Sequence, residues 1–401
     1  MANPLLVTVV VLALAYILGE IFRRFGFPRV VGQIIAGILL GLPLIKSILF
    51  TNEILSIFSY ITNIGIILLF FFIGLEINLL KFRKNFKESS MISLFNTAIP
   101  LAAGFLAGKF IFGYSNVTSL IIGISLSVSS QAISLDILEE LRLLKSKIGN
   151  LIIASGTVDD VFELLLISTI LVVFHSTAIG QFSLHKLLLG VFIFTLIVIL
   201  FRVSLIPFAL RVFEKDKSQS ILFTGALIIV LSMAYLSELY GISSLIGALI
   251  AGILVRQTLL SGEERKPWRK NEISHSIHII AFGFLIPLFF VNVGLSADLS
   301  SLSTNLTLVI VLLLIDIFGT LAGTIIGVML SKGTFREGMI VGWGVIPKGD
   351  TELVIATLAL NKGLINIGVF TAIISVALLS TLLAPVMFKY MIRSRAKVNA
   401  A

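Results

Sequence analysis

Gly32-Gln-Ile-Ile-Ala-Gly-Ile-Leu39 recurs as Gly247-Ala-Leu-Ile-Ala-Gly-Ile-Leu254, roughly 215 residues later. Leu69-Phe-Phe-Phe-Ile-Gly-Leu75 is echoed at nearly the same offset by Leu288-Phe-Phe-Val-Asn-Val-Gly-Leu295. Each offset carries the chain through seven apolar spans. Seven is odd, so copies that cross a membrane must cross it in opposite directions. Inverted repeats mark secondary transporters, whose substrate sites lie near the midplane where the repeats meet.

Composition supports a membrane setting. The 401 residues are 57% hydrophobic and 13% charged, with a mean hydropathy of +1.10. This is the profile of an all-α polytopic membrane protein. With no cysteine, a disulfide framework and a thiolate metal site are both excluded. The four histidines are scattered, and no nucleophile–base set is visible, which argues against an enzyme. The net charge of +9 sits in loops between apolar runs, where it reads as membrane topology rather than nucleic-acid binding. The first apolar run lacks a basic leader and passes directly into more spans, so no cleavable signal peptide is expected.

Taking about 20 apolar residues per crossing, the chain divides into thirteen expected spans. Their approximate limits are 4–22, 28–44, 55–77, 90–112, 117–139, 148–174, 185–212, 219–239, 242–258, 274–295, 305–330, 336–361 and 365–390. Basic residues cluster after the odd-numbered spans, as in Arg23, Arg24 and Arg29, or Lys81, Arg83, Lys84 and Lys87. The positive-inside rule then puts the N-terminus outside and the C-terminus in the cytoplasm, in the plasma membrane.

Span six holds the costliest residues: Gly156-Thr-Val-Asp159-Asp160-Val-Phe-Glu163-Leu-Leu-Leu-Ile. A charge at bilayer depth costs roughly 2.5–3.5 kcal/mol on insertion scales, and such a residue is a functional hypothesis by default. Two adjacent carboxylates repel if both ionise, so the pair should hold a proton or a cation. Na⁺ and K⁺ are hard cations that prefer oxygen ligands. Asp160 and Asp159 would supply carboxylate oxygens, Ser155 and Thr157 hydroxyls from a helix break or turn, and the carbonyls around Ser129, Ser130 and Gln131 the rest. Glu163 lies one turn beyond Asp160 on roughly the same face.

The repeat offset makes a further prediction. Span five contains the hydroxyl-dense Ser125-Leu-Ser-Val-Ser-Ser-Gln-Ala132, and its repeat mate in span twelve is Pro347-Lys348-Gly349-Asp350. Proline removes a backbone donor and glycine tolerates an irregular backbone, so span twelve should be broken here. Two interrupted helices at matching repeat positions point to a transport site. Their ends would offer free carbonyls to a cation and free amides to a carboxylate. Asp350 and Glu352 flank the break and are expected to satisfy the free amides.

These features together resemble the monovalent cation:proton antiporter superfamily, in its second branch of Kef, GerN and NapA-like exchangers. The resembling motifs run from Phe25-Gly-Phe-Pro-Arg-Val-Val-Gly-Gln-Ile-Ile-Ala-Gly37 and Gly65-Ile-Ile-Leu-Leu-Phe-Phe-Phe-Ile-Gly-Leu-Glu76 through Val158-Asp-Asp-Val161 and Ile242-Ser-Ser-Leu-Ile-Gly-Ala248. Pro287-Leu-Phe-Phe290 and Ile346-Pro-Lys-Gly-Asp-Thr-Glu-Leu353 complete the set. The resemblance implies exchange of Na⁺, or of Li⁺ or K⁺, for protons, with Asp160 as the carrier. It implies a homodimer with scaffold helices in 1–88 and 216–300 and transport-core helices in 89–175 and 301–392. A linker helix would occupy 176–215 and a basic cytoplasmic tail 393–401. No cofactor and no nucleotide-binding domain are expected in this chain.

One departure stands out. Relatives with paired aspartates usually carry a base midway along span eleven, where this chain reads Leu312-Leu-Leu-Ile-Asp316-Ile-Phe-Gly-Thr. The first aspartate, Asp159, thus lacks its usual basic partner, and Lys348, in the adjacent interrupted helix, is the nearest candidate counter-charge. Asp316 would either pair with Lys348 or bind the ion directly. The departure leaves stoichiometry and electrogenicity open. A cation channel and a sodium-coupled organic-solute carrier are the rival classes.

Overall fold

The computed structural model describes residues 3–76, 86–130, 133–134, 137–138, 143, 146–156, 158–159, 162, 184–208, 219–240, 242–260 and 275–398. Regular structure among the described residues is entirely helical. In chain order the helices are α1 (Pro4–Arg24), α2 (Arg29–Leu40), α3 (Pro43–Leu49), α4 (Asn52–Glu76), α5 (Phe86–Leu106) and α6 (Asn116–Ser127). Then come α7 (Leu184–Leu200), α8 (Gln219–Leu239), α9 (Ser244–Leu260), α10 (Ile286–Ser296) and α11 (Leu299–Thr304). The last four are α12 (Leu306–Leu330), α13 (Phe335–Val345), α14 (Asp350–Asn361) and α15 (Ile367–Val398). A further helical stretch covers 147–156.

Among the described residues, seven helices are long and apolar enough to cross a membrane, and eight if α2 and α3, bent by 83°, form one broken span. The expected second span is that bent pair. The expected spans five, eight, nine and twelve contain shorter apolar helices: Asn116–Ser127, Phe223–Leu239, Ser244–Gln257 and Thr351–Asn361. Most of expected span six lies outside the described residues. The protein is therefore a multi-pass, all-helical membrane protein.

Two compact units are present. One comprises Met1–Phe50, Leu79–Leu166 and Phe290–Ala401, the other Thr51–Asn78 and Ile167–Phe289. In the first, α12 lies along α5 and α13, α5 along α6, and α1 along α2, with α14 against α6 and α15. In the second, α9 lies along α4 and α8.

The repeat read from sequence reappears as repeated packing. In the first unit, a β-carbon on Gly37 would come within 2.1 Å of the Val291 carbonyl oxygen and 2.9 Å of Gly294 Cα. In the second, a β-carbon on its repeat mate Gly252 would come within 2.2 Å of the Phe71 carbonyl oxygen and 2.9 Å of Gly74 Cα. Gly294 and Gly74 are themselves repeat mates. Only glycine lets helix backbones approach this closely, the logic of small-residue helix contacts in membranes. The same glycines, in the same pairing, close one contact in each unit.

Candidate functional site

Both expected helix breaks are present. α6 ends at Ser127, and Val128 is already extended, with φ −78° and ψ 135°. α13 ends at Val345 and α14 begins at Asp350, leaving Pro347, Lys348 and Gly349 outside any helix. The breaks meet: the Ser130 amide donates to the Pro347 carbonyl at 2.8 Å. Irregular backbone at membrane depth needs such internal partners, because lipid offers none. Thr381 of α15 supplies two more. Its hydroxyl accepts from the Lys348 amide at 3.0 Å and donates to the Lys348 carbonyl at 2.9 Å.

Gly349 permits the crossing. A β-carbon there would lie 2.4 Å from Ser130 Oγ and 2.6 Å from Ser130 Cβ. Because Ser130 Cβ is fixed to the backbone, relief requires the two breaks to part. Gly349→Ala should therefore destabilise the purified protein by about 1–3 kcal/mol, the usual range for overpacking. Ser130→Gly in the same chain should restore most of the loss, read as the thermal midpoint in detergent.

Lys348 is the charged centre of the crossing. Its side chain is 1% exposed and its ammonium lies 2.9 Å from Asp316 Oδ1, itself 0% exposed. The same nitrogen donates to the carbonyls of Leu126 and Val128, each at 2.7 Å. Those carbonyls belong to the C-terminal end of α6, where the partial negative charge of the helix collects. A resident ammonium thus occupies the carbonyls just before Ser129–Gln131, whose own carbonyls were expected to face a transported cation. The Ser130 carbonyl is also taken, by the amide and hydroxyl of Ser134 at 3.2 and 3.0 Å.

Asp159 lies close by, 2% exposed, inside a ring of neutral polar groups. Ser93 Oγ donates to its Oδ1, as does Thr97 Oγ1 at 3.4 Å. Asn96 Nδ2 reaches Oδ2 at 3.2 Å, and Ser129 Oγ lies 3.5 Å from the same oxygen. Ser93, Asn96 and Thr97 all come from α5, whose spacing of three, then one puts them on one helix face. The Asn96 carbonyl oxygen is buried without a hydrogen-bond partner. The cage thus presents carboxylate, hydroxyl and amide oxygens, the donor set that hard monovalent cations take.

The transmembrane sodium/hydrogen exchanger family model matches residues 9–393. The chain belongs to the sodium/hydrogen exchanger family. It is 33% identical to the Na⁺/H⁺ antiporter of Enterococcus hirae over 92% of this chain and 93% of that one. It is 28% identical to the Na⁺/H⁺-K⁺ antiporter GerN of Bacillus cereus, over 96% and 95%. The solved structure of the sodium proton antiporter MjNhaP1 from Methanocaldococcus jannaschii at pH 8 aligns with a TM-score of 0.67, covering 96% of this chain and 97% of that one. At 15% identity that likeness shows a shared fold.

Within this exchanger, the structure gathers Asp159, Ser129, Ser130, Pro347, Lys348, Gly349 and Asp316 around the crossed breaks. Ser155 differs from expectation. It lies inside the helical stretch 147–156 rather than at a turn, and its hydroxyl bonds back to the Ile152 carbonyl at 3.2 Å. Such back-bonding is the ordinary fate of a serine within a helix. Glu352 also differs. It was expected to satisfy helix-end amides, yet neither of its oxygens has a hydrogen-bond partner, and Gly349 caps α14 without a side-chain bond. Asp160, Thr157, Gln131, Glu163 and the side chain of Asp350 lie outside the described residues. The α5 cage was missed, although Ser89, Ser93, Asn96 and Thr97 form a polar stripe at helical spacing in an apolar span.

Proposed function

We propose that this protein is a secondary active transporter that exchanges Na⁺ for protons by alternating access. The observation that carries the reading is the caged, buried Asp159 beside two crossed helix breaks, in a chain of the exchanger family. Asp159 and its neighbour Asp160 would hold the cation, with the oxygens of Ser93, Asn96, Thr97 and Ser129 within the same cage. A proton and the cation would compete for these carboxylates. Either one neutralises the site and lowers the cost of carrying it past apolar surroundings. Empty, charged crossings are thereby disfavoured, and coupling needs no separate device.

Thirteen spans, an external N-terminus and a cytoplasmic C-terminus fit the placement of basic residues. A homodimer, with the helices of 89–175 and 301–392 moving against those of 1–88 and 216–300, completes the proposed architecture. K⁺ is the alternative cargo, since GerN is named an antiporter of both ions.

The test is transport in proteoliposomes under a clamped membrane potential, comparing Na⁺, Li⁺ and K⁺. An imposed pH gradient should drive Na⁺ uphill. Cation flux that only runs down its own gradient would instead identify a channel. Ser93→Ala should raise the KM for the cation on the order of ten-fold while leaving the fold intact. A hydrogen bond to a charged group is worth roughly 1.5–3 kcal/mol, and part of that is recovered by water.

A further inference from the structure

The exchange reading uses Asp159 and Asp160 and leaves a second group of buried charges unexplained. Asp316 and Glu352 are both 0% exposed and Lys348 is 2% exposed. Lys348 and Asp316 both lie within electrostatic reach of Glu352. Asp316 and Glu352 therefore share one base, which also lies within electrostatic reach of Asp159, and full ionisation would leave excess negative charge in the buried interior.

Lys348 cannot serve both acids at once. Two of its three N–H donors go to the carbonyls of Leu126 and Val128, and the ammonium is ion-paired with Asp316 at 2.9 Å. Glu352 is left with no hydrogen-bond partner at either oxygen. The base within its electrostatic reach, Lys348, is already paired with Asp316. α6, packed against α14, carries no charged residue. α15, the other helix against α14, has no charged residue before Lys389, two turns beyond Thr381. A buried carboxylate with no hydrogen-bond partner, its nearest base paired elsewhere, is far costlier than a buried carboxylic acid.

We propose that Glu352 is a second proton site of the transporter, distinct from the Asp159–Asp160 pair, holding its proton as a neutral acid while Lys348 is bound to Asp316. When the core opens to water, the Glu352 O–H bond breaks and the proton passes to solvent. The carboxylate that remains competes with Asp316 for Lys348, so the ammonium links proton release to the carbonyls at the α6 end. One proton would then cross per cycle in addition to those carried by the aspartate pair. The inference rests on the exchange reading for its role in transport, but the neutral acid itself does not.

Two measurements test it. Infrared spectroscopy of the purified full chain carrying Asp159→Asn and Asp160→Asn, which removes the protons of that pair, should show a protonated-carboxyl band that disappears on adding Glu352→Gln and persists, shifted, with Glu352→Asp. In proteoliposomes, the number of protons moved per cation, read from the reversal potential, should fall by one in Glu352→Gln and stay at the wild-type value in Glu352→Asp. A band that survives in Glu352→Gln, or an unchanged proton ratio in that variant, overturns the proposal. Wild-type protein that exchanges no cation for protons would sink the exchange reading instead, and the infrared result would still decide whether Glu352 holds a proton.

Discussion

Lys348→Met is expected to lower the stability of the purified protein by about 3–5 kcal/mol, the range for breaking a buried ion pair by removing one partner. The methionine fills similar volume, so the loss reports charge and hydrogen bonding rather than a cavity. It strands Asp316 with 0% exposure and releases the carbonyls of Leu126 and Val128 at a helix end. Asp316→Asn should be milder, because it leaves both carbonyl bonds of Lys348 in place. The double variant Lys348→Met, Asp316→Leu should recover part of the loss, since apolar replacement of a whole buried pair is often near neutral. The two carbonyls would still lack a donor, so recovery should be incomplete. Thermal unfolding in detergent across the four proteins ranks these losses. A Lys348→Met protein that melts with wild type would show that the ammonium does not hold the crossing together.

Much of this arrangement was legible in the sequence because its causes are local. Pro347 and Gly349 break a helix wherever they occur within one, and the repeat offset carried that expectation back to Ser129. Gly37 and Gly252, or Gly74 and Gly294, repeat because helix contacts at those positions exclude any β-carbon. For Asp316 the sequence left pairing with Lys348 and direct ion binding open, and the two side chains lie 2.9 Å apart.

What was not legible depends on which groups meet across helices. The carbonyls around Ser129–Gln131 were expected to meet the cation, yet the preceding ones, of Leu126 and Val128, belong to Lys348, whose reach no sequence offset reveals. The α5 face was overlooked because serine and threonine in an apolar span usually bond within their own turn. Only its register against Asp159 distinguishes Ser93 and Thr97 from that ordinary case. Glu352 was read as a cap from its position in the first turn of α14, whereas burial leaves it without a partner.

The larger functional effect is expected from the aspartates. Asn keeps the size of Asp159 and, at Oδ1, the bonds from Ser93 and Thr97. Its Nδ2 can donate to the unpartnered Asn96 Oδ1 once that amide turns over. The change removes the charge that a cation must meet. Either single variant leaves one carboxylate, so residual exchange at the remaining acid is compatible with the account. The double variant Asp159→Asn, Asp160→Asn leaves none, and neither a proton nor a cation can then be held at the pair. Its stability should match or exceed that of wild type, because a buried charge is lost while the cage is kept. The decisive measurement is pH-gradient-driven Na⁺ uptake into proteoliposomes containing this double variant beside wild type. The account predicts uphill uptake by wild type and none by the folded double variant. Coupled uptake by the double variant at the wild-type rate would contradict it.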